Sequence, residues 1–339
     1  MPSRYSAVHS LDKLKGPGDA RPTALDIVKD EGLEGKLADK VFLVTGTSSG
    51  IGIETARALA ATGAKLFLTV RNLDKGKEAL SSVLATGQVE LLEMDNASLA
   101  SVRSAAEKFL SKSKTLNILI ANAGVMAIEN LTKTVDGFET QFGTNYVSHF
   151  LLFQLLKDTL ISSATPEFPS RVVAVSSSGH RVGGIQFGNY DFENGGYSPW
   201  GAYGQSKTAG IYMANEIERR YGALGLHGLS LHPGGIITGL QKHISNEVKE
   251  SWDKDEKLAI YMKNAAQGAS TTVYAALSQD WKGRGGRFLE DCDESPPVDV
   301  GNSDLVSVGY APHAYDEAAE KRLWKESLVL LDLGDDDGA

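Results

Sequence analysis

Residues 40–45 form a short, almost unbroken apolar run that breaks into Thr45-Gly46-Thr47-Ser48-Ser49-Gly50-Ile51-Gly52. Helical spacing follows at Ile51, Thr55, Ala58 and Leu59. A strand, a tight glycine turn and a helix in that order restrict the fold more than any other feature of the chain. The scheme recurs: residues 65–70, 89–94, 116–121, 171–176 and 228–231 read as strands, and 73–86, 98–112, 138–161 and 200–222 as helices. Apolar strands alternating with amphipathic helices predict an α/β fold. It should be a single doubly wound domain, with a parallel sheet of about seven strands covered on both faces.

Two stretches interrupt the rhythm. Residues 179–196 carry six glycines and read as a long loop. Residues 234–264 mix glycine, charge and amphipathic spacing directly after a strand, as binding loops and lids do. Residues 1–38 are polar and punctuated by proline and glycine, and read as an extension. It holds one short helix at about 23–31, where Thr23 and Asp26 give a capping signal. The core domain is set at 39–312, including a substrate loop at 234–264. Residues 313–339 read as a C-terminal helix over 316–333 and a solvated acidic tail around Asp335–Asp337.

The glycines have separate physical tasks. Gly46 permits the tight turn, Gly50 lets backbone N–H groups approach a pyrophosphate, and Gly52 lets the helix pack closely on the strand. The helix N-terminus then faces the phosphates with its positive dipole end. After the second strand, where an acid would hold a ribose 2′-hydroxyl, the chain has Arg71, and the first acid is Asp74. An arginine there favours a 2′-phosphate, hence NADP(H). Further on, Tyr203 and Lys207 stand four residues apart and share a helix face. A tyrosine with a pKa of about 10 is a poor acid or base at neutrality. A neighbouring ammonium is expected to lower it, and the pair can then exchange a proton with a carbonyl/alcohol couple. The strand before them ends in Ser176-Ser177-Ser178, where a hydroxyl can polarise a substrate carbonyl.

In this conjunction the chain resembles the short-chain dehydrogenase/reductase family. The matching motifs are Thr45–Gly52, Asn122-Ala123-Gly124, Asn145, Ser177, Tyr203-Gly204-Gln205-Ser206-Lys207, and His232-Pro233-Gly234 through Thr238. The resemblance implies a Rossmann fold, an NAD(P)-dependent redox reaction and an Asn145–Ser177–Tyr203–Lys207 active site. Tyr203 would be the general acid/base, with Lys207 on the nicotinamide ribose and tuning the tyrosine. Ser177 would hold the substrate oxygen, and Asn145 would anchor a relay water. Gly46, Thr47, Ser49, Gly50, Ile51, Gly52, Arg71, Asn122, Ala123, Gly124, Pro233 and Gly234 would hold the cofactor, with Asp95 and Asn96 at the adenine and Thr238 at the carboxamide. The long interval between Ser177 and Tyr203, the His180 neighbourhood and Arg71 look like the subgroup of retinol dehydrogenases, WW-domain oxidoreductases and protochlorophyllide reductases. Fungal reductases also look similar.

The remaining features exclude more than they add. The net charge is −9 without a Lys/Arg cluster, which argues against a nucleic-acid partner. No apolar run approaches the roughly 20 residues that span a bilayer. Cys292 is the only cysteine, so no internal disulfide can form, and a cytoplasmic location is the default. The seven histidines show no metal-ligand spacing, and no metal is expected. The acids flanking Cys292 disfavour a thiolate. The expected function is NADP(H)-dependent interconversion of a carbonyl and an alcohol. The apolar residues of 234–264 suggest a cover over a bulky, mostly apolar substrate, such as a lipid, isoprenoid or polyketide-like secondary metabolite. A homodimer is the assembly considered. The rival readings are a catalytically silent cofactor-sensing module, and an epimerase or dehydratase on the same fold.

Overall fold

A computed structural model describes residues 2–299, 304 and 306–334. The acidic run Asp335–Asp337 lies outside the described residues. Eight strands form one sheet: β1 (Val41–Val44), β2 (Lys65–Val70), β3 (Val89–Glu93), β4 (Ile118–Ala121), β5 (Ser170–Val175), β6 (Leu226–His232), β7 (Arg287–Glu290) and β8 (Asp293–Glu294). Their order is β3-β2-β1-β4-β5-β6-β7-β8. All pairings are parallel except β7–β8, an antiparallel hairpin. The central strands β1, β4, β5 and β6 are buried on both faces, which explains their continuous apolar runs.

One face of the sheet is packed by helices Leu99–Lys112, Ser148–Ser162 and Pro199–Tyr221, through Phe109, Phe150, Leu156 and Ile217. The other is packed by Ile51–Ala60 and Ser270–Leu277 through Leu59 and Val273, and helix Ala24–Asp30 of the N-terminal segment covers those two helices with Ile27 and Val28. The capping signal at Thr23 is realised in full. Its hydroxyl accepts the Asp26 N–H, and the Asp26 carboxylate accepts the Thr23 N–H.

Most expected elements form within a few residues of their predicted ends, and three points differ. The expected helix 73–86 divides into Leu73–Ala79 and Ser81–Leu84, because Leu80 leaves the helical path to bury completely. The expected helix 138–161 begins as the single turn Thr140–Phe142, widens into a π-turn over Gly143–Val147, and only then continues as Ser148–Ser162. The seventh strand was counted but not located in the sequence. It is the four-residue β7, and β8 adds two residues through a turn in which Asp291 and Cys292 both take positive φ, 53° and 57°.

Helix Glu317–Leu330 lies outside helices Ser148–Ser162 and Pro199–Tyr221 and drives Trp324 between them. The Trp324 ring meets Phe150 edge-on at 4.9 Å and Phe153 at 5.9 Å, and the Arg220 guanidinium lies 4.8 Å from the Trp324 ring centroid. Trp324→Ala should cost roughly 3–5 kcal/mol of unfolding free energy, the usual scale for truncating a buried aromatic. Urea denaturation of both proteins measures it, and a loss below about 1 kcal/mol would mean that the helix does not close this core.

Candidate active site

The parallel order sends the carboxyl ends of β1 to β6 to one edge, and the chain turns away in opposite directions after β1 and β4. A cleft of about 1170 Å³ opens there. Its floor is the glycine turn. Gly46 has φ of +69°, and a Cβ on it would lie 2.7 Å from Ala123 Cα; a Cβ on Gly52 would lie 2.3 Å from the Gly46 carbonyl oxygen. Neither position admits a side chain. The turn is fastened from β4. Asn122 Nδ2 donates to the Thr45 and Gly46 carbonyls at 2.8 and 3.1 Å, and the N–H groups of Asn122 and Ala123 both donate to Thr45 Oγ1 at 2.9 Å.

Ser49, Gly50, Ile51, Arg71, Asp95, Asn96, Asn122, Ala123, Gly124, Pro233, Gly234 and Thr238 all line the cleft. Thr238 comes from the far wall and packs over Gly50. Thr47 does not line it: its side chain is buried, and its hydroxyl donates to the Thr69 carbonyl, so Ser48 takes that place on the wall. Arg71 is exposed at the rim and makes no ion pair among the described residues. Asn96 is turned partly inward, with its amide donating to Ser148 Oγ at 2.8 Å.

Ser177, Tyr203 and Lys207 meet at the other end. Helix Pro199–Tyr221, capped by Ser198, carries Tyr203 and Lys207 one turn apart. Ser176 is committed elsewhere, its hydroxyl donating to the Lys207 carbonyl at 2.8 Å. The Ser177 side chain instead lies beside the Tyr203 ring, and its hydroxyl oxygen accepts the Gly179 N–H at 3.0 Å. Lys207 Nζ donates to the Val175 carbonyl at 2.9 Å and lies 5.5 Å from the centroid of the Tyr203 ring. Asn145 stands behind the cleft surface in the π-turn. Its Nδ2 donates to the Val125 carbonyl and to Ser206 Oγ, and its Oδ1 accepts the Val125 N–H. The side chain is therefore spent on protein partners, and it ties the loop after β4 to the tyrosine helix.

A residue that the sequence reading missed holds this arrangement. His149 is fully enclosed one turn beyond Asn145. A carbonyl can only accept, so His149 Nδ1–H donates to the Asn145 carbonyl at 2.8 Å. Nε2 then accepts from the Thr45 hydroxyl at 2.8 Å and from Asn96 Nδ2 at 3.2 Å. Its signal in the sequence was the i, i+4 spacing from Asn145 inside an otherwise apolar helix. His180, read as a loop residue, is buried, and its Nδ1–H donates to the Ser177 carbonyl at 2.6 Å while Nε2 accepts the Ala311 N–H.

The electrostatics depart from the expectation in one respect. Burial pushes the Tyr203 hydroxyl up to about 12, against the opposing influence of the nearby Ser177 hydroxyl. Burial also pulls the Lys207 ammonium down to about 8. The expected lowering of the tyrosine by its lysine is outweighed, because both groups are withdrawn from water. Burial likewise pulls His149 down to about 4.

Above this pair the cleft is apolar. Met126, Trp200, Leu240, Val248, Trp252 and Leu258 line it, with the Trp200 ring edge-on to Tyr203 at 6.0 Å. Four of those six residues come from segment 234–264, folded as the 3₁₀ turn Gly239–His243 and the helices Asn246–Asp253 and Glu256–Tyr261. Among the described residues, no group of three or more His, Cys, Asp or Glu side chains could hold a metal ion. No helix among them is long and apolar enough to cross a membrane.

The short chain dehydrogenase family model matches residues 40–191. The chain is 57% identical to the short-chain dehydrogenase/reductase prx1 of Penicillium roqueforti, over 94% of this chain and 93% of that one. It is 36% identical to retinol dehydrogenase 11 of Mus musculus over 88% of each. Among solved structures it is similar to an uncharacterised protein from Mycobacterium paratuberculosis, with a TM-score of 0.68 and 34% identity, covering 93% of this chain and 98% of that one.

The histidine at the back of the site gives a pH test. Folded His149 resists protonation until about pH 4, whereas the unfolded residue takes a proton near its ordinary 6.5. Its contribution is complete above about pH 6.5 and is lost as the pH falls toward 4. The stability advantage of wild type over His149→Gln should therefore shrink by about 2 kcal/mol between about pH 7 and pH 5. Urea titrations of the pair at the two pH values measure this, and an advantage independent of pH would show that His149 is not held neutral.

Proposed function

This chain belongs to the short-chain dehydrogenase/reductase family, and from that premise we propose that it interconverts a carbonyl and an alcohol on a bulky, mostly apolar small molecule, using NADP(H). The observation that carries this reading is the meeting of the Ser177 and Tyr203 side chains in one cleft, with Lys207 Nζ 5.5 Å from the tyrosine ring, directly beside an apolar wall.

The residues present fit the cofactor. Glycine at 46 and 52 lets the turn close tightly on Ala123 and on itself, which leaves its backbone bare along the cleft where the helix Ile51–Ala60 starts. Ser48, Ser49 and the backbone of Gly50–Ile51 would hold the pyrophosphate, Arg71 the 2′-phosphate, Asp95 and Asn96 the adenine, and Asn122–Gly124, Pro233–Gly234 and Thr238 the nicotinamide half. Bound there, the cofactor supplies the hydride.

The chain's own residues supply placement and the proton. Ser177 and Tyr203 together hold the substrate oxygen. With its hydroxyl pushed up to about 12, Tyr203 carries its proton at neutral pH, the state that a general acid needs in the reductive direction. Giving that proton to the substrate oxygen leaves a phenolate, which the Lys207 ammonium stabilises. Asn145 keeps the loop after β4 and the tyrosine helix in register. His180 fixes the backbone of Ser177. A single, buried cysteine suits a cytoplasmic setting.

Tyr203→Phe should still bind NADPH but lose at least about 10²-fold in turnover, the usual scale of general acid–base catalysis. A cofactor-oxidation assay against a panel of ketones and aldehydes, with a parallel cofactor titration, measures both. Near-normal turnover would remove Tyr203 from the mechanism.

Arg71→Asp should weaken NADPH binding and shift preference toward NADH, since a carboxylate would then face the 2′-phosphate. Titrating both cofactors into both proteins tests this, and equal NADPH affinities would mean that Arg71 does not reach the cofactor.

A further inference from the structure

The apolar wall of the cleft is held from outside by the N-terminal segment. Arg21 is 3% exposed. A guanidinium so buried needs its donors satisfied. Its Nε donates to Asp19 Oδ1 at 2.8 Å, Nη1 to the Tyr261 carbonyl at 2.7 Å, and Nη2 to the carbonyls of Met262 at 2.6 Å and Gly16 at 3.2 Å. Tyr261 and Met262 close the helix Glu256–Tyr261, where the last carbonyls lack helical partners and favour a cation. The Gly16 N–H donates to the Ile260 carbonyl at 3.0 Å, one residue earlier.

Those same residues face the substrate. Leu258, Tyr261 and Met262 line the cleft on one side, and Leu14 packs against their cluster. The attachment is itself braced. Gln267 accepts the Gly18 N–H and donates to Asp19 Oδ1 and to the Arg21 carbonyl. Just beyond Met262, Lys263 Nζ donates to Asp291 Oδ1 at 2.6 Å, and His9 Nε2 lies 3.8 Å from the same oxygen. The N-terminal segment thus grips residues 260–262 directly, through Arg21 and the Gly16 N–H.

We propose that Arg21 is a positioning and specificity-determining residue: with Leu14 it fixes the outer wall of the cleft and so sets how well a bulky apolar substrate is held. The substrate part of this inference rests on the carbonyl-reductase reading above. The grip itself does not.

The test uses the full chain, with Arg21→Met, Arg21→Lys and Leu14→Ala. In Arg21→Met, amide exchange over residues 256–262 should quicken by about tenfold or more while the sheet keeps its protection. KM for a bulky apolar ketone should rise about tenfold, with kcat and the KM of a small ketone within about twofold of wild type. Arg21→Lys keeps the charge but not the fork of donors, and should fall between. Leu14→Ala removes only apolar contact and should raise the bulky-ketone KM by about threefold. If Arg21→Met does not fold, Arg21→Lys and Leu14→Ala carry the same comparison. Unchanged exchange over 256–262, or a KM that rises equally for both ketones, would overturn the proposal. If wild type reduces neither ketone, the functional reading falls, and the exchange data alone decide whether the grip exists.

Discussion

The hydroxyl of Thr45 sits where three elements end. It accepts the N–H groups of Asn122 and Ala123 from the end of β4, and it donates to His149 Nε2 in the helix behind. Removing it would leave the Ala123 amide without its partner, at about 1–3 kcal/mol, and the Asn122 amide with the Ile120 carbonyl alone. The candidate site on that side is placed through this contact. It fixes where the glycine turn leaves β1, how closely Ala123 approaches Gly46, and, through His149, where the π-turn holds Asn145. The order of the strands makes this possible, since only neighbouring parallel strands can bring β1 and β4 to the same edge.

Much of this was legible in the sequence because it depends on local rules. Lys65–Val70 was read to the residue, the Thr23 cap was read from two side chains, and the Tyr203/Lys207 face follows from helical spacing alone. The misses are all tertiary. The helix expected at 138–161 has continuous helical chemistry, and nothing local announces the π-turn. It forms because Asn145 reaches the backbone of Val125 across the gap from β4. Leu80 breaks its helix for burial that spacing does not reveal. Asp291 and Cys292 are poor residues for positive φ. Their turn is held by what surrounds it: Lys263 on the aspartate, and Ser270 and Thr271 around the thiol. Thr47 belongs to the motif that marks the turn, yet faces away from the cleft, since a motif fixes residue types and not which side each faces.

The tyrosine shows how magnitude decides between two sound arguments. A nearby ammonium lowers a phenol's pKa, and desolvation raises it. Lys207 Nζ is 5.5 Å from the ring centroid and shares its charge with the Val175 carbonyl, while Tyr203 is almost wholly withdrawn from water. Desolvation wins, and it acts on the lysine in the opposite sense. Two groups of nearly equal ordinary proton affinity are thereby driven apart, the hydroxyl to about 12 and the ammonium to about 8, so the proton is held on the tyrosine more firmly than on the lysine.

The family match starts at residue 40, one residue before β1. A fragment cut there would keep every residue of the glycine turn and of the Ser–Tyr–Lys group. It would also strip Ile27 and Val28 from the face of Ser270–Leu277, and remove the Glu31 carboxylate that accepts the Ser278 hydroxyl and the Gln279 N–H. The recognisable cassette is therefore smaller than the cooperative unit. A chain begun at residue 40 for expression or grafting would carry the candidate site without the frame that keeps it in place.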